Sequence, residues 1–150
     1  MLAYDPSTNP LNNNEWSYPL TECFHVASMA LSIGCITLID LTLLGHGLKS
    51  TTPKQLIRDT DLWVVLGLFL AIATGLMIFS TDPQHFLENG PFQFKMAILL
   101  VGILFNYTVH RRAAFSPNAL APGFASKLVA VISILLWISP IAAGIFSAFV

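Results

Sequence analysis

Residues 22–47 read ECFHVASMALSIGCITLIDLTLLGHG, an almost wholly apolar run long enough to cross a bilayer that nevertheless carries Glu22, His25 and Asp40. A transmembrane helix needs about 20 predominantly apolar residues. Ionisable groups at that depth are costly, so these three residues mark where a function should be sought. On a helix, Glu22 and Asp40 share an azimuth roughly five turns apart, with His25, Ser28, Ser32 and Ile36 on the same broad face. Lipid cannot satisfy such a stripe, which must therefore look towards other helices or a wet cavity.

Composition agrees. Of 150 residues, 55% are hydrophobic and 10% charged, and the mean hydropathy of +0.70 places the chain in the membrane class as one unit. A net charge of −1 and a pI near 6.4 offer no basic face, so nucleic acid is excluded as a partner and the lipid bilayer takes its place. Cys23 and Cys35 lie on one helix roughly 18 Å apart by the helical rise. They cannot pair with each other and read as packing residues.

Residues 1–20 lack the basic and apolar regions of a cleaved signal peptide and read as an irregular arm, with Trp16 and Tyr18 at the level of an interfacial aromatic belt. Four spans follow, at about 22–47, 61–80, 93–111 and 127–149. The fold class is all-α: a four-transmembrane-helix bundle, up-down-up-down, with short interfacial helices in the loops. Thr52-Pro53 predicts an N-cap and first helical residue, with a helix that runs on into the second span. Gly67, Ala71, Thr74 and Gly75 give that span a small-residue face for close helix approach. Thr81 or Asp82 caps a miniature helix at Pro83, with Gly90 as its left-handed terminator and Pro91 opening the third span. The third span is the least hydrophobic, and its neighbours are expected to shield it. Ser116-Pro117 and Pro122-Gly123 keep the last linker out of lipid, and Pro140 predicts a kink between Leu136 and Pro140.

Basic residues fall on one side: Lys49, Lys54, Arg58, Arg111, Arg112 and Lys127 against Lys95 alone. The positive-inside rule then places both termini and residues 81–92 in the periplasm of a bacterium, with the protein in the inner membrane. Spans one and three run in the same direction, which gives two polar layers. The outer layer holds Glu22, His25 and Lys95, with Glu22 and Lys95 as an ion pair. The inner layer holds Asp40, Asn106 and His110, with a hydrogen bond expected from Asp40 to Asn106 or His110, or to Arg58 reaching in from the cytoplasmic side.

Glu22-x-x-His25 opening the first helix, Asp40, Thr74-Gly75, Pro91-Phe92-x-x-Lys95 opening the third helix, Asn106 with His110, and Trp137 in the fourth resemble a family of short bacterial four-helix integral membrane proteins of unknown function. The resemblance covers roughly residues 16–150. It implies fold and location and leaves the mechanism open. That family's last helix often carries a basic residue after the glycine, whereas here Gly144 is followed by Ile145.

Three classes of function are weighed. The first is a non-enzymatic accessory subunit or small-molecule or ion carrier built on the polar layers, with a membrane or periplasmic protein partner. The second is a b-type haem electron-transfer protein, since four-helix membrane bundles can hold haem between histidines; the pairs are His46 with His110 and His25 with His85. The third, a proton-coupled exporter built on one membrane glutamate, is disfavoured because Glu22 stands at the helix start. No nucleophile with base and orienting acid is evident, nor are HExxH, a phosphate loop or CxxC, so an enzyme is not expected.

Overall fold

The computed structural model describes residues 5–47, 50–116 and 123–147. Lys49, Pro117 and Pro122 lie outside the described residues. A 3-10 turn at Pro6–Thr8 leads to α1 (Ser17–Leu43), α2 (Pro53–Phe79), the short α3 (Pro83–Glu88), α4 (Gly90–Ala114) and α5 (Phe124–Ser147). There is no strand among the described residues. All four long helices are apolar enough to cross a membrane. The protein is a four-helix bundle.

Local chemistry sets the helix ends. Thr52 Oγ1 accepts from the Gln55 backbone N–H at 3.1 Å, while Gln55 Oε1 accepts from the Thr52 N–H at 3.0 Å, a capping box that starts α2 at Pro53. From there α2 runs unbroken to Phe79. Leu44 closes α1, and Gly45 turns the chain with φ 88°, a left-handed conformation that glycine adopts without a Cβ penalty. Asp82 caps α3. Gly90 is not the terminator of α3. It is the first residue of α4, capped by Asn89, whose side chain accepts from the Phe92 N–H at 2.9 Å. One polar residue before a Gly-Pro pair thus ends one helix and opens the next.

Helix α1 packs on α2 and α5, and α4 packs on α5; α4 meets α2 chiefly through the Arg111–Ala114 segment. The end where that contact lies is called here the basic end, and the opposite end the arm end. Small residues explain the α1–α2 fit: a Cβ on Gly67 would lie 2.3 Å from Ser32 Oγ and 2.8 Å from the Ser28 carbonyl oxygen. Ser32 Oγ donates across this seam to the Val64 carbonyl at 3.0 Å. Trp137 packs with Ile36, Val64 and Leu68 at mid-bundle, while Ile39, Leu43, Leu56, Ile57, Ala114 and Ala130 fill the basic end.

The third span is not shielded by its neighbours. Only 11% of its hydrophobic window is buried, against 39% for the first span. Its flank towards α2 is open along most of its length, so its weak hydrophobicity is offset by packing on α5 and by polar contacts at its basic end. The N-terminal arm is stapled down: Asn9 Nδ2 donates to the Ser80 carbonyl at 2.8 Å, and Asn12 Nδ2 to the Thr81 carbonyl at 3.1 Å. Beneath it Phe79, Phe86 and Phe92 stack together.

Candidate functional site: two polar layers

At the basic end Asp40 is fully buried and held by two helices at once. His110 Nε2 lies 2.7 Å from Asp40 Oδ1, and Ser133 Oγ donates to Oδ2 at 2.9 Å. A carboxylate accepts only, so Nε2 carries the hydrogen and Nδ1 is left with its lone pair. That Nδ1 is buried and has no partner among the described residues. The cluster ties α1, α4 and α5 together. It contains Ser, His and Asp but is not a hydrolytic triad, because the acid stands between the other two and no base contacts the serine hydroxyl.

The partner expected from Arg58 is absent. Arg58 is exposed, and the arginine that enters the bundle is Arg111, which hydrogen-bonds Asp61 on α2 and lies over the Tyr107 ring at 4.6 Å. Asp61, three residues after Arg58, is the member of that helical turn that faces α4. Asn106 is buried but is not bonded to Asp40. Residues Asn106–His110 form a π-helical turn inside α4. This wider turn carries Arg111 onto the inward face that also holds Asn106 and His110. Beside it lies a crevice with Thr60 and Asp61 on one wall and Asn106, His110 and Arg111 on the other.

The arm-end layer is built differently. His25 Nδ1 is 2.9 Å from the Ala71 carbonyl oxygen and 3.2 Å from Thr74 Oγ1. The Thr74 hydroxyl already donates to the Leu70 carbonyl, so Nδ1–H is the donor to both acceptors and the bare nitrogen is Nε2. Glycine makes room for the ring: a Cβ on Gly75 would lie 3.1 Å from His25 Cε1. Lys95 is housed likewise, its Nζ 3.4 Å from where a Gly144 Cβ would sit.

The predicted Glu22–Lys95 ion pair does not form. Among the described residues the ion pairs are Asp40–His110 and Asp61–Arg111. Glu22 is exposed and makes no ion pair with Lys95. Glu22 sits one turn nearer the helix start than His25, where it turns outward. Of the histidines considered for haem, His110 has Nε2 on Asp40, His25 has Nδ1 on Ala71 and Thr74, and His46 and His85 are exposed.

Ser133 is the site residue the sequence reading passed over. Four residues before Trp137 and at the depth of Asp40, it was legible as a polar side chain in an otherwise apolar helix, but serine in such a helix commonly satisfies itself on its own backbone, as Ser139 does with Leu135.

Four membrane-length helices enclosing ionisable side chains define a multi-pass integral membrane protein. Residues 18–150 match a family of unknown function, DUF6644, and the chain belongs to that family. No curated protein and no solved structure matches it.

Proposed function

We propose that this protein is a small-molecule carrier or accessory subunit of the bacterial inner membrane, with both termini in the periplasm, that takes up its ligand at the arm end between His25 and Lys95. The observation that carries this reading is the locked tautomer of His25. Its Nδ1–H is committed to Ala71 and Thr74, which leaves Nε2 as an available acceptor. On the same level Lys95 offers three donors and has no hydrogen bond or ion pair among the described residues. A ligand with an acidic group for Lys95 and a hydrogen-bond donor for His25 satisfies both. The basic-end layer, with Asp40 fully engaged, serves as the anchor. A protein partner would cover part of the apolar surface of α4, which its neighbours leave exposed.

The test is native mass spectrometry of the protein released in native lipid discs. A bound small molecule present in the wild type and lost in both Lys95→Met and His25→Asn supports the reading; an identical bound species in the variants, or none in the wild type, sinks it. Orientation is checked by an alkaline phosphatase fused after Val150, which should be active.

A second reading is favoured by the same histidine. An imidazole whose Nδ1–H is held by a carbonyl is in the tautomer that ligates metal through Nε2, so haem b on His25 alone replaces the paired-histidine arrangement. A visible absorption band that vanishes in His25→Asn would promote it above the carrier reading.

A further inference from the structure

Burying a polar atom without a partner costs roughly 1–3 kcal/mol, so the orphaned Nδ1 of His110 calls for an explanation. The side chain is 1% exposed and lines the crevice between α2 and α4. No protein donor among the described residues reaches it. The Thr60 hydroxyl donates to the Leu56 carbonyl at 2.7 Å, Asp61 can only accept, and Arg111 is committed to Asp61 and Tyr107. Asn106, buried on the same wall, makes no side-chain hydrogen bond among the described residues. The enclosed part of the crevice has room for about one water molecule, far too little for a metabolite. Its mouth is the Asp61–Arg111 pair, whose side chains are 40% and 30% exposed and so reach the surface of the bundle.

We propose that this crevice is a hydration site: one water donates to His110 Nδ1 and is the route by which a proton from the basic end reaches the buried Asp40–His110 pair. The water gives a proton to Nδ1 as it takes one from outside the crevice, giving an imidazolium whose Nε2–H remains on the Asp40 carboxylate, and the reverse exchange removes it. The groups facing His110 are Asp40 from α1, Asp61 from α2, Arg111 from its own helix and the uncharged Ser133 from α5. The site is independent of any ligand at the arm end, so either reading can fail alone.

The test is nitrogen NMR of histidine-labelled protein in lipid nanodiscs. His110 is recognised by through-space contact of its Nε2–H with the Asp40 side chain, 2.7 Å away, so assignment does not rest on the folding of a variant. The expected result is a bare Nδ1 at alkaline pH that contacts exchanging water and takes up a proton reversibly on acidification. A proton already on Nδ1 at alkaline pH, or an Nδ1 with no water contact or no response to acidification, would overturn the proposal. Arg111→Gln, which removes one side of the mouth, should speed the water exchange several-fold; an unchanged rate would overturn the assignment of the mouth.

Discussion

At the basic end, both oxygens of Asp40 are engaged, by His110 and Ser133, and the three side chains are sealed from the surface. At the arm end, the acid is exposed, the histidine is tied by one nitrogen only, and the lysine, which rests over Gly144, has no ion pair among the described residues. The same kinds of residue thus make a closed cluster in one place and an open one in the other. What separates them is depth and convergence. Three helices meet at Asp40, whereas His25 is tied to α2 alone and Lys95 lies against Gly144 of α5. Closed polar clusters fix helix register, and open ones are available to a ligand.

The largest effect that would test this contrast comes from Asp40→Leu. It strands the His110 N–H and the Ser133 hydroxyl in the bundle core, and removing one partner of a buried pair costs about 3–5 kcal/mol. Thermal unfolding in detergent should therefore drop sharply, whereas Lys95→Met should change stability by less than about 1 kcal/mol, the ordinary range for a side chain without specific partners. Equal losses in the two variants would erase the distinction between the layers.

Gly67→Ala should cost about 1–3 kcal/mol by overpacking, because the new methyl meets Ser32 Oγ and the Ser28 carbonyl. Gly34→Ala on α1, with nothing within 4 Å of its Cβ, should instead stabilise by roughly 0.5–1 kcal/mol through helix propensity. The two measured side by side in one unfolding assay separate close approach from propensity.

Smaller still is the coupling of Glu22 with Lys95. Residues that do not touch add within about 0.5 kcal/mol, so Glu22→Gln and Lys95→Met should be additive in a double-mutant cycle. A coupling well above that would restore the ion pair and close the arm-end layer. Gly75→Ala sharpens the same point from the other side. It crowds His25 Cε1 at 3.1 Å and should weaken ligand retention in native mass spectrometry while leaving the His110 NMR signal unmoved.

The bundle and the Asp40–His110 contact were legible because helical periodicity fixes azimuth and the direction in which each span runs fixes depth; both follow from the positions of Asp40 and His110 alone. Arg111 was not, since a regular helix points it about 100° away from His110 and only the π turn brings it inward. The Glu22–Lys95 pair failed for a related reason: sharing a level does not make two side chains share a seam. The open flank of α4 was hidden because hydropathy reports what a helix tolerates and says nothing of which neighbours surround it.

Asp40 has a further consequence for how the protein is made. Its two partners lie 70 and 93 residues further along the chain, on spans that leave the ribosome later. The first hairpin can assemble by itself, because Ser32, Gly67 and the arm's Asn9 and Asn12 all find their counterparts within residues 5–81. During that interval a carboxyl group within one turn of the end of α1 is unescorted, at a cost lower than the figure of about 2.5–3.5 kcal/mol for an aspartate at mid-helix. Biogenesis therefore has a provisional stage, in which a docked helical pair waits for the second pair to arrive, and a chain truncated before Ser133 should be recognised and degraded as unfinished.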